Sequence, residues 1–419
     1  MVEIFASSIN ITKAMVVKDL SLPLSDKERK HLIITGRNGS GKTSLLLELN
    51  KYLTNIYNGK IENRRAQLSA LDSKKQLLNT FSTSSDDINY GKNSRQIADV
   101  KSQINNINNY LSSFGNACIT FANEHLLWEK ARDGTFIIAF FEAKRHAQID
   151  IPSGISKIRL QHRYDFKEKA NKHFIQYLVN LKANRSFARD DDLVDEVTSI
   201  DKWFKSFQER LREIFESPTL ELKFDRKNYN FQIIEEDKEP YEFDKLSDGY
   251  SAIISIVTEL LLRMEAHQAR NYDMEGLVLI DEIETHLHVE LQKKILPFLT
   301  NFFPRIQFIV TTHSPFVLSS LANSVVCDLE SNIVTSDLSG YSYDALLESY
   351  FYSDKYSSLI KAKIVEYEKL SLADQLDAEE KQRLKELEKY FLHIPKYLSN
   401  ELLVKLQEIT LKSLTAKRS

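Results

Sequence analysis

The sequence predicts an α/β protein built around a parallel β-sheet, and three observations carry that reading. The apolar run His31–Thr35 leads straight into a glycine-rich segment, which gives way to an apolar-periodic helix, LLLELNKYL. A second apolar run, Leu277–Ile280, ends in two acids, Asp281 and Glu282. From Ser247 to Asp328 helix-like and strand-like stretches alternate, the pattern of strands joined by crossover helices.

Length and composition bound the rest. The 419 residues correspond to two to three structural units. A chain with 42% hydrophobic and 27% charged residues buries an ordinary core, so collagen-like, mucin-like and wholly disordered classes drop out. Lys and Arg number 56 against 59 Asp and Glu, a net charge of −3, so any nucleic-acid contact must be local. Cys118 and Cys327 lie far apart without CxxC spacing, which argues against a disulfide framework and a zinc ribbon and for a reducing, cytoplasmic compartment. Neither a signal peptide nor an apolar stretch near 20 residues is visible, so no membrane span is expected.

In chain order, Met15–Leu24 and His31–Thr35 read as strands, followed by the loop and helix already noted. Between about Lys60 and Ser113 polar residues dominate and leucines and isoleucines recur sparsely, which predicts an inserted helical hairpin turning within Ser82–Asn93. The run GTFIIAFFEA returns to buried-strand character. A helical block follows over Asp165–Phe215, with Trp203, Phe204, Phe207, Leu211, Ile214 and Phe215 on one apolar face. Strands resume at Leu220–Phe224 and Tyr229–Ile234. Next come a helix near Ser247, the strand LVLI, a helix from His288, the strand IQFIVTT and a strand over Ser324–Asp328. From Tyr343 onward the chain reads as helical, and Lys381–Ser419 holds nine Lys or Arg against four Glu. No repeat of fixed period is visible.

The strongest motif is Gly36-Arg37-Asn38-Gly39-Ser40-Gly41-Lys42-Thr43, with Ser44 next, which fits G-x-x-x-x-G-K-[ST] between a strand and a helix. Its glycines let backbone N–H groups converge on a phosphate at a positive helix end. Lys42 is expected to hold the β and γ phosphates of ATP, and Thr43 to give its hydroxyl to Mg²⁺. A buried strand that ends in carboxylates needs cations, so Asp281 is the second expected Mg²⁺ contact and Glu282 the general base for the attacking water. Gln148 is a candidate contact to Mg²⁺ and water. Lys144 and Arg145 beside it read as phosphate or interface residues, or as solvated charges.

Two further motifs narrow the class. Leu246-Ser247-Asp248-Gly249-Tyr250, opening a helix, resembles the LSGGQ signature of ABC-type ATPases, and Thr312-His313-Ser314-Pro315 resembles their switch-histidine loop. The 31 residues from Glu282 to His313 are typical of that family, whereas the 36 from Leu246 to Glu282 imply an insertion around Met264–Glu275. With DEIETHLH, these motifs resemble the ATPases grouped with SMC proteins, Rad50 and the OLD-like family. The nearest likeness is to ATPase subunits of bacterial anti-phage systems such as Septu, its retron-associated forms, and PARIS, over roughly residues 1 to 330.

That resemblance implies a P-loop NTPase of ABC-ATPase type with a helical lobe, an inserted helical hairpin and a helical C-terminal region. The N-terminal part of the ATPase lobe falls on 1–59 and 114–150, the hairpin on 60–113, and the helical lobe with its returning strands on 151–245. The signature, acidic strand and switch histidine fall on 246–340, and the helical C-terminal region on 341–419. It also implies a homodimer or higher homo-oligomer closed by ATP. Ser247 and the Gly249 backbone would then meet the γ-phosphate held by the other subunit, and His313 would contact that phosphate or the attacking water. His286, His288 and Glu284 read as an inter-subunit loop rather than a metal cluster. Tyr390, Phe391 and Tyr397 in the basic tail would stack on bases, or pack as a helical face. No nuclease constellation follows His313, which implies a separate effector such as a nuclease. The rival readings are a DNA-repair or chromosome-type ATPase acting on DNA, a transporter's ATPase subunit, and a module that holds ATP with little turnover.

Overall fold

The computed structural model describes residues 3–83, 90–164, 168–267, 272–343, 345–346, 358–373, 375 and 377–392. The chain divides into two units, 1–346 and 347–419.

Among the described residues the first unit holds three sheets. Strands β1 (Ala6–Ala14) and β2 (Val17–Pro23) form an antiparallel ribbon. Burial alternates along both, as in a sheet covered on one face: Ile9, Ile11, Leu20 and Leu22 are inside while Asn10, Thr12 and Ser21 are not. β1 escapes detection in sequence because its apolar half is only every second residue in a polar stretch. Strand β3 (His31–Thr35) is buried on both faces and runs into α1 (Lys42–Tyr57). Leu45, Leu46, Leu49, Leu53 and Ile56 turn one face of α1 into the core beneath the ribbon.

The helices α2 (Ile61–Thr83) and α3 (Tyr90–Ser112) then leave and return. Of the turn expected over 82–93, residues 84–89 lie outside the described residues. At the base, the Arg64 guanidinium lies over the rings of Tyr52 and Phe114, 5.4 and 5.5 Å from their centroids. Strand β4 (Ala117–Phe121) closes the ribbon in the order β2-β1-β4, and α4 (Glu124–Arg132) and β5 (Ile137–Phe141) follow. Neither β4 nor α4 has a counterpart in the sequence reading.

A short 3-10 turn (Asn171–His173) opens the helical lobe, α5 (Phe174–Asp190) and α6 (Val194–Phe215). Phe174 meets Phe207, and Tyr177 meets Trp203, at centroid distances of 5.6 Å each. The antiparallel strands β6 (Glu221–Asp225), β7 (Asn230–Ile234) and β8 (Tyr241–Glu242) form a small sheet beside it. Phe204, half-buried, stacks on Phe231 from that sheet at 6.0 Å.

Helix α7 (Asp248–Glu265) is buried almost all round, and β9 (Gly276–Ile280) follows. Of the insertion expected at Met264–Glu275, residues 268–271 lie outside the described residues. Helix α8 (Val289–Phe302), β10 (Ile306–Thr311), the single turn α9 (Pro315–Leu318), β11 (Ser324–Asp328) and β12 (Ile333–Ser336) complete the unit.

The six-stranded sheet has the order β12-β11-β3-β10-β9-β5, parallel except for β12. Because β3, β5, β9 and β10 run the same way, the segments after all four emerge at one edge, where open α/β sheets bind ligands. β3, β9 and β10 are buried on every residue, as central parallel strands are.

In the second unit α10 (Ser358–Leu372) and α11 (Ala378–Leu392) pack through Ile364, Tyr367, Leu370, Leu387 and Phe391. Phe391 is thereby committed to packing, the second of its two readings from sequence; Tyr397 lies outside the described residues. Among the described residues no helix is long and apolar enough to cross a membrane.

Candidate nucleotide site

The loop after β3 bends on three glycines with positive φ, Gly36 (139°), Gly39 (86°) and Gly41 (98°), a conformation that strains any side chain. At Gly41 a Cβ would also stand 3.2 Å from Val16 and Val17 of the ribbon. Gly41 precedes a 16-residue helix, and among the described residues no side chain caps its N-terminus, which leaves first-turn N–H groups available to an anion. Lys42 is buried and its Nζ donates to the carbonyls of Gly36 (2.9 Å) and Arg37 (3.1 Å), curling the loop around the ammonium. Burial lowers its pKa, against the pull of Glu282, Glu284, Asp281 and Asp328. Arg37 pairs with Glu330 at 3.2 Å, Asn38 is exposed, and Ser44 donates to Met15 Sδ at 2.8 Å. Ser40 Oγ is buried without a partner among the described residues.

The acids after β9 close on this loop. Thr43 Oγ1 donates to one Asp281 oxygen (2.8 Å), and Thr311 Oγ1, from the end of β10, donates to the other (2.6 Å). A hydroxyl and a carboxylate thus stand side by side at the sheet edge, the hard oxygen donors that Mg²⁺ takes while keeping several waters. The donor set fits the metal. Thr311 also accepts from the Glu282 N–H (2.7 Å), so one hydroxyl fixes both acids, a role for Thr311 that the sequence reading missed. Glu282 has φ 44° and His286 φ 65°, left-handed for non-glycine residues, at a cost of roughly 1–3 kcal/mol each.

That bend has a clamp. Arg145, 6% exposed, donates to the carbonyls of Asp281 (2.8 Å), Glu282 (3.1 Å) and Ile283 (2.8 Å). It is therefore neither a solvated charge nor a phosphate contact, which corrects two of its readings from sequence. Burial pushes its guanidinium down to about 10, although Glu284, Asp281 and Glu282 pull the other way. Lys144 and Gln148 are exposed.

His313 is half-buried past the end of β10, and its N–H donates to the Glu284 carboxylate. Burial, and then Lys42, lower the His313 pKa, which keeps the imidazole neutral and able to accept as well as donate. Burial raises the Glu284 carboxyl above the ordinary range. His286 and His288 are exposed, and among the described residues no group of three or more His, Cys, Asp and Glu is placed to hold a metal.

The signature segment stands on the same edge. Ser247 is exposed at the start of α7 with no side-chain cap bond, and Leu246 is half-buried before it. Gly249 is buried with its Cα against the next loop, where an added Cβ would come 2.8 Å from the His286 carbonyl. The two departures from LSGGQ have partners: Tyr250 stacks on Phe215 at 4.3 Å, and Asp248 lies 3.9 Å from His146.

Residues 32–319 match the protein family described as "AAA domain, putative AbiEii toxin, Type IV TA system". The Septu protein PtuA of Bacillus mycoides (strain KBAB4) is 40% identical over 119 residues, 26% of this chain and 17% of that one. The Retron Ec83 probable ATPase of Escherichia coli is 28% identical over 177 residues, 39% of this chain and 30% of that one. The matched segments thus span less than a third of either relative. Among solved structures, an SMC head bound to the C-winged helix domain of ScpA is 12% identical and covers 77% of this chain and 94% of that one, with a TM-score of 0.36.

Proposed function

We propose, from the premise that this chain belongs to the AAA-domain ATPase family matched over residues 32–319, that it is an ATP-binding and ATP-hydrolysing switch subunit of an anti-phage defence system. In this reading it dimerises around ATP and controls a separate effector such as a nuclease. The observation that carries the nucleotide chemistry is the line Thr43–Asp281–Thr311, set beside the buried Lys42 and the uncapped start of α1. Thr43 and Asp281 would hold Mg²⁺, with Gln148 a further contact through water, and the ion would neutralise phosphate charge. Glu282 would take the proton of the attacking water, and His313 would bind the γ-phosphate or that water. The defence role rests on the likeness to the Septu and retron proteins.

Dimerisation rests on the exposed Ser247, whose side chain makes no cap bond, and on the Gly249 backbone at the N-terminus of an 18-residue helix, where donors can face an anion. A mixing experiment tests it. Lys42→Ala and Ser247→Arg should each abolish turnover alone. Mixed one to one, half the dimers carry one intact composite site, so about a quarter of wild-type activity should return. No recovery, with mixed dimers shown to form, would overturn the composite site. Nucleic-acid cleavage by the purified chain, lost on mutating one of its own residues, would overturn the division of labour with an effector.

A further inference from the structure

We propose that Arg145 is a positioning residue that holds the hydrolytic loop in its bent form and ties it to the signature helix. The inference rests on Glu282 being the hydrolytic base. Three consecutive carbonyls, of Asp281, Glu282 and Ile283, are gathered by one guanidinium arriving from the end of β5, whose Nη1 also takes the Glu142 carbonyl at 3.2 Å. A guanidinium spreads its donors over two terminal nitrogens in fixed geometry, matching carbonyls strung along three residues, whereas an ammonium's three donors radiate from one nitrogen on a flexible stem. With its carbonyls drawn to one side, the loop presents the Glu282 N–H to Thr311 on the other. Among the described residues no carboxylate lies within ion-pair distance of Arg145; Glu284, Asp281 and Glu282 favour its charge through space, while its hydrogen bonds go to backbone carbonyls.

Two residues further on, the Ala147 N–H donates to Ser251 Oγ (3.0 Å) in the first turn of α7. Between the two anchors, His146 stands 3.9 Å from Asp248, with its ring 5.9 Å from that of His286. The segment 145–147 therefore touches the hydrolytic loop at one end and the signature helix at the other. A shift of the helix on meeting the partner's nucleotide is passed to Glu282 through two anchors, each a hydrogen bond between a side chain and a backbone group.

Arg145→Lys keeps the charge and loses the fork. In this variant kcat should fall about tenfold or more, with KM and ATP affinity within about threefold of wild type. Amide exchange should quicken over 281–288 and 248–254 and stay unchanged over 36–44. In Arg145→Ala, guanidinium chloride at low millimolar concentration should restore part of kcat, and sodium chloride should not. Should both Arg145 variants unfold, Ser251→Ala removes only the acceptor of the Ala147 N–H. It should quicken exchange over 248–254 and lower kcat at unchanged ATP affinity. Unaltered kcat and exchange in folded Arg145→Lys or Ser251→Ala would overturn the proposal, as would ATP affinity lost in step with kcat. A wild-type chain that hydrolyses no ATP would sink the ATPase reading instead, and the exchange measurements would still decide the role of Arg145.

Discussion

At the scale of single residues, the site concentrates charge that only burial makes specific. Among the described residues Lys42 has no carboxylate partner in hydrogen-bond contact; its ammonium rests on two carbonyls that a phosphate would displace. Lys42→Ala should weaken ATP binding by about 100-fold or more, the cost of leaving buried phosphate charge uncompensated, and calorimetry reads it directly. Glu282→Gln keeps the hydrogen bond of its backbone to Thr311 and loses the base, so turnover should fall about 100-fold or more at nearly unchanged affinity. Turnover equal to wild type would move the base elsewhere. His31 offers a test of stability rather than catalysis. Burial, then Arg29, push its pKa to about 4, and its Nδ1 accepts from the Phe308 N–H at 3.1 Å, which requires a neutral ring. Unfolded, the ring takes up a proton below about 6.5, while the folded ring resists until about 4. Stability should therefore be complete above 6.5 and decline as pH falls towards 4, by at most about 3 kcal/mol from this group. Urea midpoints measured across that window should flatten in His31→Asn; an unchanged slope would mean that other groups set it.

Single elements carry more than their propensity. Helix α7 is apolar on nearly every side because it fills the space between the edge strand β5 and the helical lobe. Its buried pair Glu259–Arg263 (2.8 Å) reaches outward, with Arg263 donating to the carbonyl of Ile138 in β5 and Glu259 accepting from the Asn171 N–H. The helix is thus locked to both neighbours, and its start is locked to the loop at His286 by the absence of a side chain at Gly249. Gly249→Ala must push backbone against backbone, a strain of about 1–3 kcal/mol. Turnover should drop further than ATP affinity, because the shift falls on the signature and the hydrolytic loop and leaves the β3–α1 loop alone. A thermal melt and a nucleotide titration together check this; wild-type values in both would show that the two segments move freely of one another.

On the scale of the whole molecule, the parallel sheet is what turns separate segments into a site. Residues 36–44, 141–148, 281–288 and 311–314 lie far apart in the chain and follow strands that share one direction, so they share one edge. The hairpin α2–α3 stands outside this edge. Each of its 23-residue arms extends about 35 Å, and its hold on the lobe is at the base, through Arg64 over Tyr52 and Phe114 and through Arg65 paired with Glu124 of α4. Replacing residues 72–100 with a short Gly-Ser linker should leave ATP affinity and turnover within about threefold of wild type, since closing the shorter loop costs little. Loss of ATP binding in a folded variant would make the hairpin part of the nucleotide site.

Structure that is local was legible in the residues alone. Residues 31–44 are a strand, a glycine turn and the opening of a helix written consecutively, so this strand–turn–helix could be read without any knowledge of the rest. The strand end at Asp281 and Glu282 and the helix start at Ser247 were legible for the same reason, each being a motif closed within about ten residues. Strand β1 and helix α4 were not, because their apolar patterns are short and acquire meaning only against β2, β4 and α1. Which distant groups share a contact came from folding alone. Thr311 became the brace of both acids, Arg145 the clamp on their carbonyls, and Tyr250 a partner of Phe215, through sheet order and helix packing that join segments far apart in the chain. A hydroxyl, a guanidinium or a phenol reads the same in a sequence whether it is solvated or buried. Its role is set by the neighbours that folding supplies and by the desolvation that forces it to use them.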